Sequence, residues 1–445
     1  MKTTTEQLYQ LFAHHPVIST DTRKIAPGSL FFALKGEKFD ANTFAQIAVD
    51  AGAAYAIIDN PEYAIDDRFL LVDDVLTALQ DLARYHRSQL NIPIIGLTGT
   101  NGKTTTKELI NAVLSQKFNT LATQGNLNNH IGVPLTILTI DNSHEMAVIE
   151  MGANHQKEIA LLCSIAQPTH GLITNVGKAH LEGFGGVEGV KKGKGELYDY
   201  LATPGAERFA FVNSDDKMLL EMQHARSLKN VIYYGNNANP NNMVSGKLLD
   251  NSPYLTLKWH DKTCSSYNVK SQLTGSYNLD NILAAICIGR FFGLDSDEID
   301  QGVEGYQPKN NRSQIMQTAT NTLICDFYNA NPSSMFVAIE NMDKVQANRK
   351  VMILGDMFEM GTESAVEHTA VIQKALSAHV DERIFIGKDF SSQQTEVDNA
   401  NLISTTFYLT AEDAMIGIKQ NTITNATVLI KGSRGMALER LVGLF

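Results

Sequence analysis

The chain has 445 residues, 43% hydrophobic and 19% charged, a balance that supports folded cores and argues against general disorder. At about 100–200 residues per domain the length predicts two to four domains, with three the central expectation. The 37 basic and 48 acidic residues leave a net charge of −11, which argues against a nucleic-acid binder or a protein held on anionic membranes, since both need a concentrated basic surface.

Taken in chain order, the first block (residues 1–85) has strand-like apolar runs at 30–34 and 55–58 with a helical stretch at 41–51 between them, a small α/β domain. Helical spacing of Leu76, Leu79, Leu82 and Ala83 within 75–90 leads into the second block. That block, 86–309, opens with a buried-type strand at 92–97, a glycine-rich loop and a helix at 104–114. Strand-like runs follow at 135–140, 147–150, 171–176, 209–212 and 231–234, and their alternation with helical segments predicts a parallel sheet with crossover helices. Asparagine-rich residues 236–242 read as a loop, 244–273 as an antiparallel edge addition, and 279–292 as the closing helix. The third block, 310–445, carries strands at 322–325, 350–354, 383–386, 405–408 and 427–430, a second doubly wound, Rossmann-like unit. The expected fold class is therefore α/β in three domains, the central one a phosphate-loop ATPase-type domain.

Cys163, Cys264, Cys287 and Cys325 are scattered, with no C-x-x-C pair, as expected for a reducing compartment. The first residues lack a signal-peptide layout and no apolar run is long enough to span a bilayer, so the expected location is the cytoplasm, without a membrane partner.

The chemistry concentrates at Gly99, Thr100, Asn101, Gly102, Lys103, Thr104 and Thr105, between a strand and a helix. Bare glycine backbone lets N–H groups face phosphate oxygens while the helix N-terminus adds positive potential. Lys103 is placed to reach the β/γ-phosphates, and the Thr104 hydroxyl to ligate Mg²⁺. The generic phosphate-loop pattern requires glycine at position 97, where this chain has Leu97. Alone the loop predicts a nucleotide binder, the alternative being a tight strand–helix turn, and leaves the reaction open. Glu150 ends a buried-type strand, and His180 follows another, where α/β sites gather their ligands. Lys191, Lys192 and Lys194 read as a solvated basic face or an anion contact.

G-T-N-G-K-T-T at 99–105 resembles the Mur ligases and their folylpolyglutamate synthase relatives. N-L-N-N-H-I-G-V-P at 126–134, I-E-M-G-A at 149–153, T-N-V-G-K-A-H-L-E at 174–182, Y-N-A-N-P at 328–332, L-G-D-M at 354–357 and K-G-S-R at 431–434 follow in family order. Y-N-A-N-P and K-G-S-R favour the member that joins D-Ala-D-Ala to UDP-N-acetylmuramoyl-tripeptide, and S-T-D-T-R-K at 19–24 with L-K-G-E-K-F-D at 34–40 fit its UDP-sugar domain. The resemblance implies an ATP-dependent amide ligase working through an acyl phosphate, acting as a monomer, with the UDP-sugar, ATP and the dipeptide received by the first, second and third domains.

It further implies two Mg²⁺ sites drawn from Thr104, Glu150, His180 and Lys194, with Lys194, rather than Lys191 or Lys192, carbamylated. Lys103 and Arg312 serve the phosphates, although the glycine that usually precedes the arginine is Asn311 here. Asn278 either reads adenine or caps its helix, Tyr328 either packs on adenine or belongs to the core, and Asp326 contacts the nucleotide. Ser19, Thr22 and Arg23 are implied for UDP, Asn126, Asn128 and Asn129 for the muramoyl-peptide, and Asn329, Asn331, Lys431 and Ser433 for the dipeptide. His130 stands where relatives often carry an acid, so its role is open. Closure of the third domain onto the second is an expected catalytic step. The competing readings are a sister ligase, a folylpolyglutamate synthase, or a phosphate-loop kinase or regulatory NTPase.

Overall fold

The computed structural model describes residues 2–236, 239–251, 254–263, 265–309, 311–396 and 404–445. Asn237 and Ala238 of the expected loop, Ser252 and Pro253 of the β-rich stretch, Cys264, and Asn310 at the start of the expected third block lie outside the described residues.

The N-terminal sheet is parallel and runs in chain order: Ile18–Ser19, Leu30–Phe32, Tyr55–Ile58 and Phe69–Leu71. The stretch expected as one helix at 41–51 divides into a 3-10 turn, Ala41–Phe44, and a helix, Ala45–Asp50. Asp40 accepts from Asn42 N at the start of the turn, the tight local bond that favours the 3-10 geometry there. Helix Val75–Ser88 is capped by Asp74 and buries Val75, Leu79, Leu82 and Ala83, the apolar stripe read from the sequence. It runs unbroken through position 85 and packs on helices Gly132–Leu138 and Glu158–Ala166. His86 Nε2 meets Ile140 O at 2.7 Å and Arg87 Nε donates to Ala166 O at 3.1 Å, tying the first unit to the second.

Among the described residues the central sheet has nine strands. Three edge strands, Ser266–Lys270, Thr256–Asp261 and Asn242–Asp250, pair antiparallel, as expected for the β-rich stretch. The sheet continues in parallel through Asn230–Gly235, Phe209–Asn213, His170–Ile173, Ile94–Thr98, Met146–Glu150 and Thr120–Ala122. Strand Ile94–Thr98 lies between Met146–Glu150 and His170–Ile173, so the order reverses there and opens a crevice at the strands' C-terminal ends, where α/β sheets bind ligands.

One expectation is corrected. Residues 135–140 are not a strand: Gly132–Leu138 is a helix. Asn129 Oδ1 accepts from Ile131 N and Gly132 N and starts it, and Pro134 sits within the first turn, where its missing N–H is harmless. A short apolar run cannot tell a buried strand from a buried helix by periodicity alone. The central unit also carries helix Ser296–Gly305 beyond Asn278–Phe291, with an Asp295/Glu298 capping box.

In the third sheet the five expected strands are all present, ordered Thr322–Asp326, Thr427–Lys431, Lys350–Gly355, Glu382–Ile386 and Thr405–Tyr408, all parallel. An antiparallel strand, Gln314–Gln317, adds an edge the sequence reading lacked. The parallel register sets Asp326 beside Lys431 at the strands' C-terminal ends. Among the described residues no helix is long and apolar enough to cross a membrane.

Candidate functional site

The loop after Ile94–Thr98 turns on two glycines in left-handed or mirror backbone, Gly99 (φ 149°) and Gly102 (φ 77°). Both are also closely packed: a Cβ would lie 2.0 Å from Thr174 Oγ1 at the first and 2.8 Å from Asn281 Oδ1 at the second. The neighbouring strand end braces the loop, with Thr100 N donating to Asn175 O, Asn101 N to Asn175 Oδ1 and Thr174 Oγ1 to Asn101 O, at 2.9, 3.0 and 2.6 Å. Lys103 Nζ folds back onto Gly99 O and Thr100 O at 2.8 and 3.0 Å. Burial, opposed by Glu150 and reinforced by Arg312, pulls its pKa down to about 8.

Thr104 lies in the first turn of helix Lys103–Leu114, and its hydroxyl donates to Glu150 Oε2 at 2.9 Å. Asn128 Nδ2 donates to Glu150 Oε1 at 2.8 Å. Thr104 and Glu150 thus present two oxygen donors beside the phosphate loop, the set Mg²⁺ prefers when phosphate oxygens and water complete its shell. Among the described residues no three His, Cys, Asp or Glu side chains form a ready-made cage. His180 (φ 49°) enters the same cavity and is in contact with Glu359, while burial holds its pKa below the usual value. Of the three lysines, Lys194 is the buried one, 2% exposed, with Nζ 3.1 Å from Ala153 O and 5.1 Å from the Phe184 ring centroid. Burial drives its pKa well down. Lys192 is exposed and Lys191 faces Glu221.

The third unit supplies the opposite wall. Arg312 lies between Asn311 and Ser313, both in left-handed backbone at φ 57° and 51°. Asn tolerates that region, so the turn persists without the glycine. The Arg312 guanidinium stacks 3.8 Å from the Tyr328 ring centroid, with Arg434 at 5.6 Å from the same ring. Tyr328 lines the cavity, and the neighbouring Phe327 takes the core position. Lys431 Nζ donates to Asp326 Oδ2 at 2.7 Å and Asn329 O at 3.3 Å. Asn331 caps helix Pro332–Lys344 and donates from Nδ2 to Asn101 Oδ1 at 2.8 Å, joining third unit to phosphate loop.

Loop, Glu150, His180 and third-unit residues meet in one cavity of about 960 Å³ that includes Gly102, Thr105, Asn126, Asn129, His130 and Asn329 in its lining, while Thr104 and Lys194 stand behind it. Asn278 borders it, but its side chain does not cap: Nδ2 donates to Thr274 O at 2.8 Å and Oδ1 accepts from Asn281. Ser433 is buried, accepting from Phe358 N at 2.9 Å, and does not line the cavity. Ser19 bonds Ser29, Arg23 is exposed and paired with Asp21, and with Thr22 they lie in the first unit, apart from this cavity. The sequence reading missed Asn281, Asn175, Ser333 and Glu359. Asn175 lay within a quoted motif, but nothing local marked the other three.

Three family descriptions match the chain: "Mur ligase family, catalytic domain" at 15–87, "Mur ligase middle domain" at 97–289 and "Mur ligase, glutamate ligase domain" at 311–434. It is 37% identical over 433 residues to the UDP-N-acetylmuramoyl-tripeptide–D-alanyl-D-alanine ligase of Escherichia coli (strain K12), covering 96% of this chain and 92% of that one. It superposes on a MurF crystal structure from Acinetobacter baumannii with TM-score 0.86 at 32% identity, covering 96% and 92% of the two chains. A MurF ligase from Thermotoga maritima in complex with ADP gives TM-score 0.83 at 25% identity, covering 96% of each.

Proposed function

The chain belongs to the Mur ligase family, and from that premise we propose that it joins D-Ala-D-Ala to UDP-N-acetylmuramoyl-tripeptide with ATP, a cytoplasmic step of peptidoglycan precursor synthesis. It is an ATP-dependent peptide ligase. The observation that carries this reading is the single cavity with a phosphate loop on one wall and Arg312, Asp326, Tyr328 and Lys431 of another unit on the other. A nucleotide-hydrolysing switch needs no second wall; a ligase must seat two further reactants against the γ-phosphate.

The terminal carboxylate of the tripeptide attacks the γ-phosphorus, the bond to the β,γ-bridging oxygen breaks, and ADP departs. The dipeptide amine, having lost a proton, then attacks the acyl carbon, and phosphate leaves with the carbon–oxygen electron pair. No side chain is acylated or phosphorylated, so the protein positions reactants and neutralises charge. Lys103 turns from the Gly99 and Thr100 carbonyls to the phosphates, the N–H groups of 102–104 hold the phosphate oxygens while those of Thr100 and Asn101 stay on Asn175, and Arg312 approaches from across the cavity. Thr104 and Glu150 would hold Mg²⁺, with His180 at a second position, and the bound cation lowers the negative charge that the attacking carboxylate meets. Lys194 is read as carbamylated: a deeply buried amine kept neutral is a nucleophile for CO₂, and the product is an oxygen donor. Ser19, Thr22 and Arg23 are assigned to UDP, Asn126, Asn128 and Asn129 to the muramoyl-peptide, and Asn329 to the dipeptide. The three receiving units correspond to about residues 1–85, 86–309 and 310–445.

The test is phosphate release from ATP with UDP-N-acetylmuramoyl-tripeptide, with and without D-Ala-D-Ala, and with a diamino acid or glutamate in its place. The expected result is turnover with the dipeptide alone. Turnover indifferent to the dipeptide, or supported by the other acceptors, overturns the assignment.

A further inference from the structure

The third unit reaches into the cavity through the loop that follows strand Lys350–Gly355, and this loop is braced at each step. Met357 N donates to His368 Nε2 at 3.0 Å and Phe358 N to Ser433 Oγ at 2.9 Å. Ser433 N donates to Asp356 O at 3.1 Å, and the Asp356 carboxylate accepts from Asp389 N and Phe390 N at 3.0 and 2.9 Å. The next residue, Glu359, is held at φ 61°, a conformation that non-glycine side chains adopt at an energetic cost. Beyond it, Gly361 turns against the side chain of Glu182, on the short helix that follows His180.

The outcome of this bracing is a contact between the Glu359 carboxylate and His180 Nδ1, across the boundary between units. Both residues line the cavity, and His180 too is held in left-handed backbone at φ 49°. A carboxylate only accepts hydrogen bonds, so Nδ1 carries the ring hydrogen and the lone pair falls on Nε2. Pairing the far ring nitrogen of a histidine with a carboxylate is a general way to orient the ring and raise the basicity of the other nitrogen.

We propose that Glu359 is a positioning residue lent by the third unit, which fixes His180 in the Nδ1–H tautomer and so readies its Nε2 as a ligand when that unit is docked. This deepens, and rests on, the assignment of His180 to a cation position. Docking then does more than enclose the reactants: it selects the protonation geometry of a side chain on the opposite wall. Other contacts between these walls, among them Asn331 with Asn101, Ser333 Oγ with Lys178 N and the Lys178 ammonium with Glu367, hold the loops in register without bonding the imidazole.

The test uses the full chain, labelled with ¹⁵N-histidine, at pH 8 and without substrates, with His180 assigned by its loss in His180→Gln. In the unsubstituted protein the ring shifts should report Nδ1–H. Glu359→Ala should move the ring toward Nε2–H, the form favoured by free imidazole side chains, while Glu359→Gln, which can still accept from Nδ1–H, should keep the original tautomer. In parallel, kcat of Glu359→Ala should fall about 10–100-fold with the KM for D-Ala-D-Ala unchanged, and Glu359→Gln should recover most of the loss. An unchanged His180 tautomer in Glu359→Ala overturns the proposal, as does a Gln variant that behaves like Ala. Glu359→Lys, long but unable to accept, takes the place of Ala if that variant fails to fold. A tautomer shift in a protein whose ATP turnover ignores the dipeptide would support the pairing and overturn the ligase reading instead.

Discussion

Two lysines on facing walls of the cavity show how the same residue type serves opposite ends. Lys103, from the phosphate loop, donates to two backbone carbonyls and, among the described residues, forms no ion pair. Burial without a bonded counter-ion draws its pKa down to about 8. Lys431, from the third sheet, is 2% exposed and bonded to the Asp326 carboxylate at 2.7 Å. Lys103 is held at a desolvation cost that, on the proposed reading, an incoming phosphate offsets, whereas Lys431 has its anion already. On the proposed reading the first marks a ligand position; the second holds together the ends of two strands that carry other contacts.

That contrast breaks most sharply in Lys103→Met. Its kcat is expected to fall by about 10³-fold, the scale for removing a donor aimed at developing charge. Its urea midpoint should stay level or rise, since a half-buried ammonium without an ion-pair partner contributes little to folding. A variant that keeps its rate would end the distinction. Lys431→Met should do the reverse: stripping Asp326 of its partner is expected to lower stability by about 3 kcal/mol, with Asp326→Asn/Lys431→Met regaining much of it in urea titrations. If Lys431→Met is as stable as the parent, Lys431 is not part of the frame.

The pH dependence sharpens the comparison further. Below about pH 8 Lys103 is charged, and above it the free protein loses that charge, so kcat/KM for ATP should fall by up to tenfold per pH unit beyond 8. The unfolded chain keeps the lysine proton to about 10.4, so between these values it binds more protons than the native state, and this group makes stability rise with pH there. Both effects should vanish in Lys103→Met. The smallest effect is expected at Tyr328, where Arg312 and Arg434 stack: Tyr328→Leu should raise the KM for ATP roughly fivefold, about 1 kcal/mol. No change in that KM would assign the ring to packing alone.

The phosphate loop was legible because its parts are contiguous: strand, two glycines, lysine and threonine lie within a few residues, and the backbone conformation follows from the glycines. The third sheet was legible for a related reason, since four of its five parallel strands are short, largely buried apolar runs divided by polar segments. The run at 135–140 misled because its apolar residues fit either period, and the Asn129 turn that leads into the helix lies outside it. The glycine missing before Arg312 leaves the turn in place: Asn311 takes the left-handed backbone a glycine would have taken. Ser433, grouped with the dipeptide residues, is instead occupied in bracing the loop that presents Glu359.

By itself the sequence determined the three-part α/β order, the family, and the residues whose chemistry is local, Lys103 and Thr104 above all, because helix N-termini, glycine turns and strand ends are built from neighbours in the chain. Tertiary structure alone decided which polar side chains are free and which are spent on one another. Lys431 meets Asp326 through the register of two strands far apart in the chain, Asn281 backs Gly102 from another helix, and Glu359 reaches His180 from another unit. Such pairings depend on distances set by packing, and residue type carries no record of them.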